Sequence, residues 1–328
     1  MNNMLMVTFA MIISCYISIG ISEARLKVGF YNKTCPDAES IVGSIVRDAT
    51  EFNPRVPAFL LRLHFHDCFV QGCDGSILID NGRISERIAV GHQGLRGFDV
   101  IESAKAQLEF VCPGVVSCAD IVAMAARDAV AFSFGPNYEV ETGRRDGFVS
   151  NKSLAGRMPD FRDSIQLLKH KFFDKGLNEK DLVVLSGAHT IGTTACFFLM
   201  GRLYNSSPHG GPDPSIDQDF LPELMETCPP NGDINFRLPI DHNSGEAFDI
   251  QILENIRSGF AVLQSDAKLM DDPVTKRILD SYFMRFPNQT VQPSFEADFV
   301  KSMVKMGRIG VKTGPKRGEI RRVCNTFN

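Results

Sequence analysis

Residues 60–76 read LLRLHFHDCFVQGCDGS, and both the fold and the chemistry can be approached from this stretch. Arg62 and His66 stand four apart in an apolar run, so on a helix they share one face. The pair joins a permanent cation to a group that exchanges a proton near neutral pH. Heterolytic cleavage of a peroxide O–O bond needs both. A base takes the proton from the inner oxygen and returns it to the outer one, while a cation stabilises the charge that develops. His64, two residues from His66, falls on a different face and is assigned no chemistry. The second half of the stretch crowds Asp67, Asp74, Ser76 and glycine-permitted carbonyls into a short loop. Such hard oxygen ligands suit calcium, although the spacing is not that of an EF-hand. A Cys68–Cys73 bridge would cinch the loop.

Around this stretch the pattern is mainly helical. Ile41, Val42, Ile45, Val46 and Ala49 form a helical stripe after Pro36 and Asp37. Residues 117–120, SCAD, read as a capping box that opens the helical run 121–132. Ile165, Leu168 and Phe172 share a face that stops at Gly176, and Phe299, Met303 and Met306 share another that ends near Gly307. Strand signals are few and short. No repeat or linker divides the chain, so residues 25–328 read as a single domain of two lobes.

Residues 4–21 form an uncharged apolar run followed by Ser22, Glu23 and Ala24, which reads as a signal peptide over residues 1–24. Its removal takes Cys15 and leaves eight cysteines. An even count in an exported chain argues for four disulfides, with their pairing left open. Sequons begin at Asn32, Asn151, Asn205 and Asn288, as expected of a glycosylated secreted protein. No other run is long and apolar enough to span a bilayer, so no membrane association is expected of the mature chain. The net charge of −4 gives no argument for a nucleic-acid partner.

His189 follows an apolar helical run, and a neutral imidazole is a common iron ligand. Such a ligand usually donates its other ring proton to an acceptor, for which Asp266 is a candidate. Asp241, Ser244 and Asp249 make a second group of hard oxygens, which Thr190 joins if the chain folds back beside His189.

Taken together these segments resemble the class III peroxidases, the secreted haem peroxidases of plants. The resemblance runs from Phe30-Tyr31-Asn32-Lys33-Thr34-Cys35-Pro36 through residues 62–76 and Leu95-Arg96-Gly97-Phe98. It continues through residues 111–120 (VCPGVVSCAD), Gly143-Arg144-Arg145-Asp146 and residues 185–192 (LSGAHTIG). It closes with Gln264-Ser265-Asp266 and residues 318–324 (GEIRRVC). The resemblance implies a mainly α fold with little β structure, in which distal and proximal lobes sandwich one haem b. It implies His66 as distal acid–base, Arg62 as stabiliser of the transition state, His189 as axial ligand and Asp266 as its proximal partner. One calcium would use Asp67, Val70, Gly72, Asp74 and Ser76, with Glu86 through water. A second would use Thr190, Asp241, Ser244 and Asp249, with the Ala247 carbonyl. The disulfides would be Cys35–Cys112, Cys68–Cys73, Cys118–Cys324 and Cys196–Cys228. Pro159 falls where family members contact the reducing substrate. The implied activity is hydrogen-peroxide-dependent one-electron oxidation of small phenolic donors through ferryl intermediates. It would be carried out by a secreted monomer in the cell wall, serving phenolic polymerisation, peroxide removal or stress response. The chain's end four residues after Cys324, without the extension some vacuolar relatives carry, favours the apoplast.

Four positions depart from the family pattern. His92 stands where an Asn usually orients the distal histidine, and a neutral ring nitrogen there is expected to accept from His66. Tyr138 replaces a tryptophan. Asp160 adds a charge beside Pro159. Ala195 takes the place of a polar residue that lies near a haem propionate in some relatives, a loss of little cost if Arg55 reaches that edge. Two other readings are weighed against the enzyme. A haem-binding or wall-binding protein without catalysis would lack one of Arg62, His66 and His189, all of which are present. A metal hydrolase built on His64 and His66 lacks a third ligand and a general base.

Overall fold

The stripe at Ile41, Val42, Ile45, Val46 and Ala49 forms the inner face of α1 (Ala38–Phe52), with Val42 and Val46 fully buried. The computed structural model describes residues 25–285 and 292–328. The proposed leader and the Asn288 sequon lie outside these residues. Residues 60–70 belong to α2 (Val56–Val70), which opens with Pro57 in its first turn, where no backbone N–H is missed. This helix has apolar residues on every side and is buried along most of its length, as a helix enclosed by others must be, with its polar side chains Arg62, His64, His66 and Asp67 set among them. Leu60 and Leu63 enter one core with α1, α3 (Phe98–Val111) and α4 (Cys118–Phe132). Leu61 and Phe69 enter the other. That second core is built from α5 (Ile165–Phe173), α6 (Glu179–Ser186), α9 (Gln251–Ser258), α11 (Pro273–Ser281) and α12 (Phe295–Met306), while α7 (Met200–Tyr204) and α8 (Leu221–Thr227) close a smaller core beside it. The central helix therefore belongs to both lobes, and its functional face lies at their junction.

The helix ends follow local chemistry, with one difference from expectation. Ser117 accepts from the Asp120 N–H at 3.1 Å, but no reciprocal bond from the Asp120 carboxylate closes a capping box. That carboxylate instead accepts from the Tyr31 hydroxyl at 2.6 Å, from the Gly143 N–H at 2.6 Å and from Arg144 Nη1 at 2.8 Å. The Arg144 N–H, at 3.1 Å, makes a fourth donor, which fills the roughly four lone-pair sites of the carboxylate, and the Ser117 N–H donates to the Tyr31 hydroxyl instead, at 3.3 Å. The reciprocal box lies instead between Asn178 and Asp181, at the start of the helix that leads to His189.

Strand structure is confined to two small antiparallel ladders among the described residues. In one, β1 (Lys27–Val28) pairs with β2 (Glu141–Thr142). In the other, β3 (Thr193–Ala195) pairs with β4 (Arg237–Pro239), so that Ala195 faces Arg237. The ladder β3–β4 follows His189 directly and is fixed by the Cys196–Cys228 bridge. Three further bridges join Cys35 to Cys112, Cys68 to Cys73 and Cys118 to Cys324. The last ties the C-terminal segment to the start of α4 across 206 residues, a long loop that constrains the unfolded chain strongly. Tyr138 packs against both cores, and burial pushes its hydroxyl up, so it fills a structural position.

Candidate active site

On α2, Arg62 Nε donates to His66 Nε2 at 3.2 Å, so the i and i+4 positions meet on one face. Accepting this bond requires His66 Nε2 to be unprotonated. Burial, then the charge of Arg62, then His92 push the His66 imidazole well below its ordinary pKa. A neutral ring beside a guanidinium is the form that can take a proton. Burial and the nearby Arg237 lower Arg62 to about 10, which leaves it charged at neutral pH. His64 lies elsewhere, with Nδ1 3.6 Å from Cys68 Sγ, and burial lowers it to about 3. The two imidazoles do not converge, so the hydrolase reading has no paired ligands. Cys68 and Cys73, the other groups near His64, are bonded to each other.

His92 reaches the site in an arrangement that differs from the expected one. Its ring meets His66 edge-on, with centroids 5.0 Å apart, but accepts no hydrogen bond from it. His92 Nδ1 donates to the Glu86 carbonyl at 2.8 Å, and Nε2 lies 2.9 Å from Met158 Sδ. The second contact fills the nitrogen that would otherwise accept. His66 Nδ1 is consequently buried without a partner. An unpaired buried polar atom is costly. Met158 thus sits between His92 and Pro159. Pro159 is half-buried, and the charge of Asp160 is taken by Arg162 at 3.2 Å in an exposed pair.

The second histidine sits on a 3-10 turn, Gly187–Thr190, at the end of α6. Its Nδ1 donates to both oxygens of Asp266 at 2.9 Å. Asp266 comes from α10 (Gln264–Ala267) and is buried. Burial alone would lower the His189 pKa, but the Asp266 charge and hydrogen bond outweigh it, and the net shift is upward. The Nδ1 bond fixes the tautomer, leaves Nε2 as the ring's available donor atom and makes it electron-rich. About a third of the side chain, 36%, is accessible. The donor set therefore fits iron in a porphyrin. The two histidine-bearing segments are closely apposed, since a Cβ on Gly192 would come within 2.8 Å of the Ala58 Cβ on α2.

Residues 67–86 gather a buried acidic loop. Asp67 accepts from the Gly75 N–H at 2.9 Å and Asp74 from the Ser76 N–H at 3.1 Å. Ser76 Oγ donates to Glu86 Oε2 at 3.3 Å, and Glu86 Oε1 is buried without a partner. Burial and Asp74 push Glu86 up to about 7, and burial with Asp74 also raises Asp67. Negative charge is thus under-compensated, which fits a divalent cation. Two ammonium groups that the sequence reading did not single out enter the loop: Lys312 pairs with Asp74, and Lys175 donates to the Val70 carbonyl at 2.8 Å. Gly147 is required here, because any Cβ would collide with Asp74. Gly72, at φ +141°, passes directly over the backbone of Gly310.

The second group also assembles. Thr190 Oγ1 lies 3.0 Å from Asp241 Oδ2, 3.2 Å from the Ala247 carbonyl and 3.3 Å from Asp249 Oδ1. Ser244 donates to Asp249. Burial, with Asp249 and Asp266 nearby, pushes Asp241 up to about 7. Asn255, not foreseen, donates to Asp241. Among the sequons, Asn32 and Asn205 are exposed and Asn151 is half-buried.

A mainly helical chain with a cation–imidazole pair on one lobe and a carboxylate-backed histidine on the other has the design of a peroxidase. Residues 42–284 match the family model described as peroxidase. The chain is 63% identical to Peroxidase 43 of Arabidopsis thaliana over 95% of both chains. It is 52% identical to Peroxidase 13 of the same plant over 98% of both. With Peroxidase N1 of Nicotiana tabacum it shares 48% identity over 100% of this chain and 98% of the other. The chain belongs to the peroxidase family, within its class III plant branch. It is an oxidoreductase that uses hydrogen peroxide to oxidise donor molecules, and the cofactors of its family are haem and calcium. No helix of the described residues is long and apolar enough to cross a membrane.

Proposed function

We propose that the chain is a secreted monomer, a single domain over residues 25–328 following a leader at residues 1–24. It holds one haem b and two calcium ions and oxidises phenolic donors in the cell wall. The observation that carries the catalytic part is the contrast between Arg62 donating to His66 on one lobe and Asp266 holding His189 on the other. Haem, when bound, supplies the electrons that cleave the O–O bond and the oxidising power passed to donors. His189 Nε2 would be the iron ligand, with Asp266 retaining the Nδ1 proton and orienting the ring. His66 Nε2 takes the peroxide proton and returns it to the departing oxygen. Arg62 stabilises the charge developing between the two oxygens. His92 acts on His66 through ring contact and charge. Donors approach past Pro159, where Phe161 meets Phe198 edge-on at 4.9 Å.

The acidic loop of Asp67, Val70, Gly72, Asp74, Ser76 and Glu86 would hold one calcium directly behind His66. Thr190, Asp241, Ser244 and Asp249 would hold the second beside His189. Each ion would thus brace one catalytic histidine. The four disulfides and the accessible sequons accord with export. The deciding experiment is spectroscopy with steady-state kinetics on the purified protein. A Soret band with peroxide-dependent oxidation of a phenol panel supports the proposal. A Soret band without turnover would leave a haem-binding protein, and the absence of a Soret band after haem addition would remove the cofactor assignment.

A further inference from the structure

Three arginines outside the acid–base pair border the junction where α2 meets β3–β4. Arg55 lies immediately before α2, two turns ahead of Arg62. Arg96 lies over the ring of Phe59, its guanidinium carbon 5.9 Å from the centroid, one turn along the same helix. Arg237 comes from β4. Its Nε donates to Thr193 Oγ1 at 2.8 Å, and it also bonds the Thr193 carbonyl, which pins the side chain along β3. Ala58, between Arg55 and Arg62, is the residue that closely approaches Gly192, next to Thr193. Arg62 reaches the Arg96 segment by donating to the Gln93 carbonyl at 3.4 Å.

None of Arg55, Arg62, Arg96 or Arg237 has a carboxylate within ion-pair distance among the described residues, whereas Arg127, Arg144, Arg202 and Arg308 do. Like charges gathered without a counter-charge repel one another. Burial and the charges of Arg96 and Arg55 lower the Arg237 pKa, and Arg237 in turn lowers that of Arg62, so the four share one field. Guanidinium groups in such a cluster match a carboxylate bidentately.

We infer that Arg237, with Arg55 and Arg96, forms a carboxylate-binding rim on the active-site cleft. Arg237 stands opposite Ala195 on the ladder and supplies from β4 a polar contact that Ala195 cannot supply from β3. The inference rests on the peroxidase reading. A carboxylate could come from a haem propionate or from a carboxylated phenolic donor, and the two give different results.

The test compares wild type with Arg237→Met and Arg237→Lys in two assays. One is the rate of haem transfer to an excess of apomyoglobin. The other is the KM ratio between 4-hydroxycinnamate and its neutral alcohol. Transfer at least about 5-fold faster in Arg237→Met assigns the rim to the propionate. A KM ratio raised at least about 3-fold assigns it to the donor. Arg237→Lys should recover part of either effect, because charge is retained. Unchanged behaviour in both assays overturns the inference, as does equal loss in both variants, which would mark a strand contact only. Failure of wild type to oxidise any phenol would strike the peroxidase reading, while haem transfer would still report on the rim.

Discussion

His66 and His189 are the same side chain in opposite surroundings. His66 lies beside two positively charged or chargeable groups, Arg62 and His92, and is held well below its ordinary pKa. His189 lies against the buried carboxylate of Asp266, and its pKa is raised. The first is kept neutral and ready to accept a proton at Nε2. The second is kept electron-rich, with its Nδ1 proton committed. Groups whose environments push their affinities for protons apart are how one fold assigns different roles to one residue type. The local sequence shows half of this. Arg62 is four residues from His66, while Asp266 is 77 residues from His189.

The most severe way to break the contrast is to remove the base. His66→Ala should lower kcat/KM for hydrogen peroxide by about 10²–10⁴-fold, the usual contribution of a positioned acid–base group. Haem binding should survive, since His189 is untouched. Stopped-flow peroxide kinetics with a Soret titration measure both. A loss below tenfold would mean that Arg62 and haem suffice without a base. Asp266→Asn breaks the other side. The amide can still accept from Nδ1 but carries no charge, so the upward shift of His189 should vanish. Haem affinity or activity should fall about 10–100-fold, as for other partners of metal-bound histidines. Unchanged haem affinity together with unchanged turnover would show that the carboxylate only positions the ring.

The legibility of the site follows the reach of its interactions. Arg62 and His66 are read from helical spacing, and Cys68 and Cys73 from a loop of five residues. The proximal pair and the Thr190 group join segments far apart in the chain, so the residues alone offered them only as candidates and the resemblance to a family supplied the pairing. The fold was legible where apolar stripes are continuous, as in α1 and α12. It was least legible at Asp120, where a local capping pattern is overridden by Tyr31, Gly143 and Arg144 from distant segments. Arg237 had no sequence signal, because its meaning comes from a strand pairing and from the absence of a neighbouring acid.

The acidic groups behind the two histidines sharpen the comparison at intermediate cost. Glu86 and Asp241 each have a folded pKa near 7, above the ordinary carboxylate values of 4.5 and 3.8. With the metal removed, the unfolded chain binds fewer protons than the folded one between about pH 4 and 7. Their contribution is then present at low pH and lost as pH rises through 7. Bound calcium would pair with the ionised forms and cancel that loss. Chelation should therefore lower Tm little at pH 5 and on the order of 5 °C or more at pH 8. Differential scanning calorimetry with and without chelator measures it, and a chelator effect equal at both pH values would contradict the assignment of these carboxylates.

The smallest expected effect concerns His92, where the chain departs from its family. In the present arrangement His92 Nδ1 donates to the Glu86 carbonyl and the Met158 sulfur covers Nε2, so His66 Nδ1 has no acceptor. The charge interaction with His92 also lowers the His66 pKa. In His92→Asn that interaction disappears, and an amide oxygen could accept from His66 Nδ1. Both changes favour protonated His66, so the acid limb of peroxide reduction should move to higher pH, by less than about one unit given the smaller weight of His92 behind burial and Arg62. The pH profile of kcat/KM for peroxide in wild type and variant decides it. A shift toward lower pH would reverse the assigned sign, and a superimposable profile would remove His92 from the mechanism and leave Arg62 alone to set the basicity of His66.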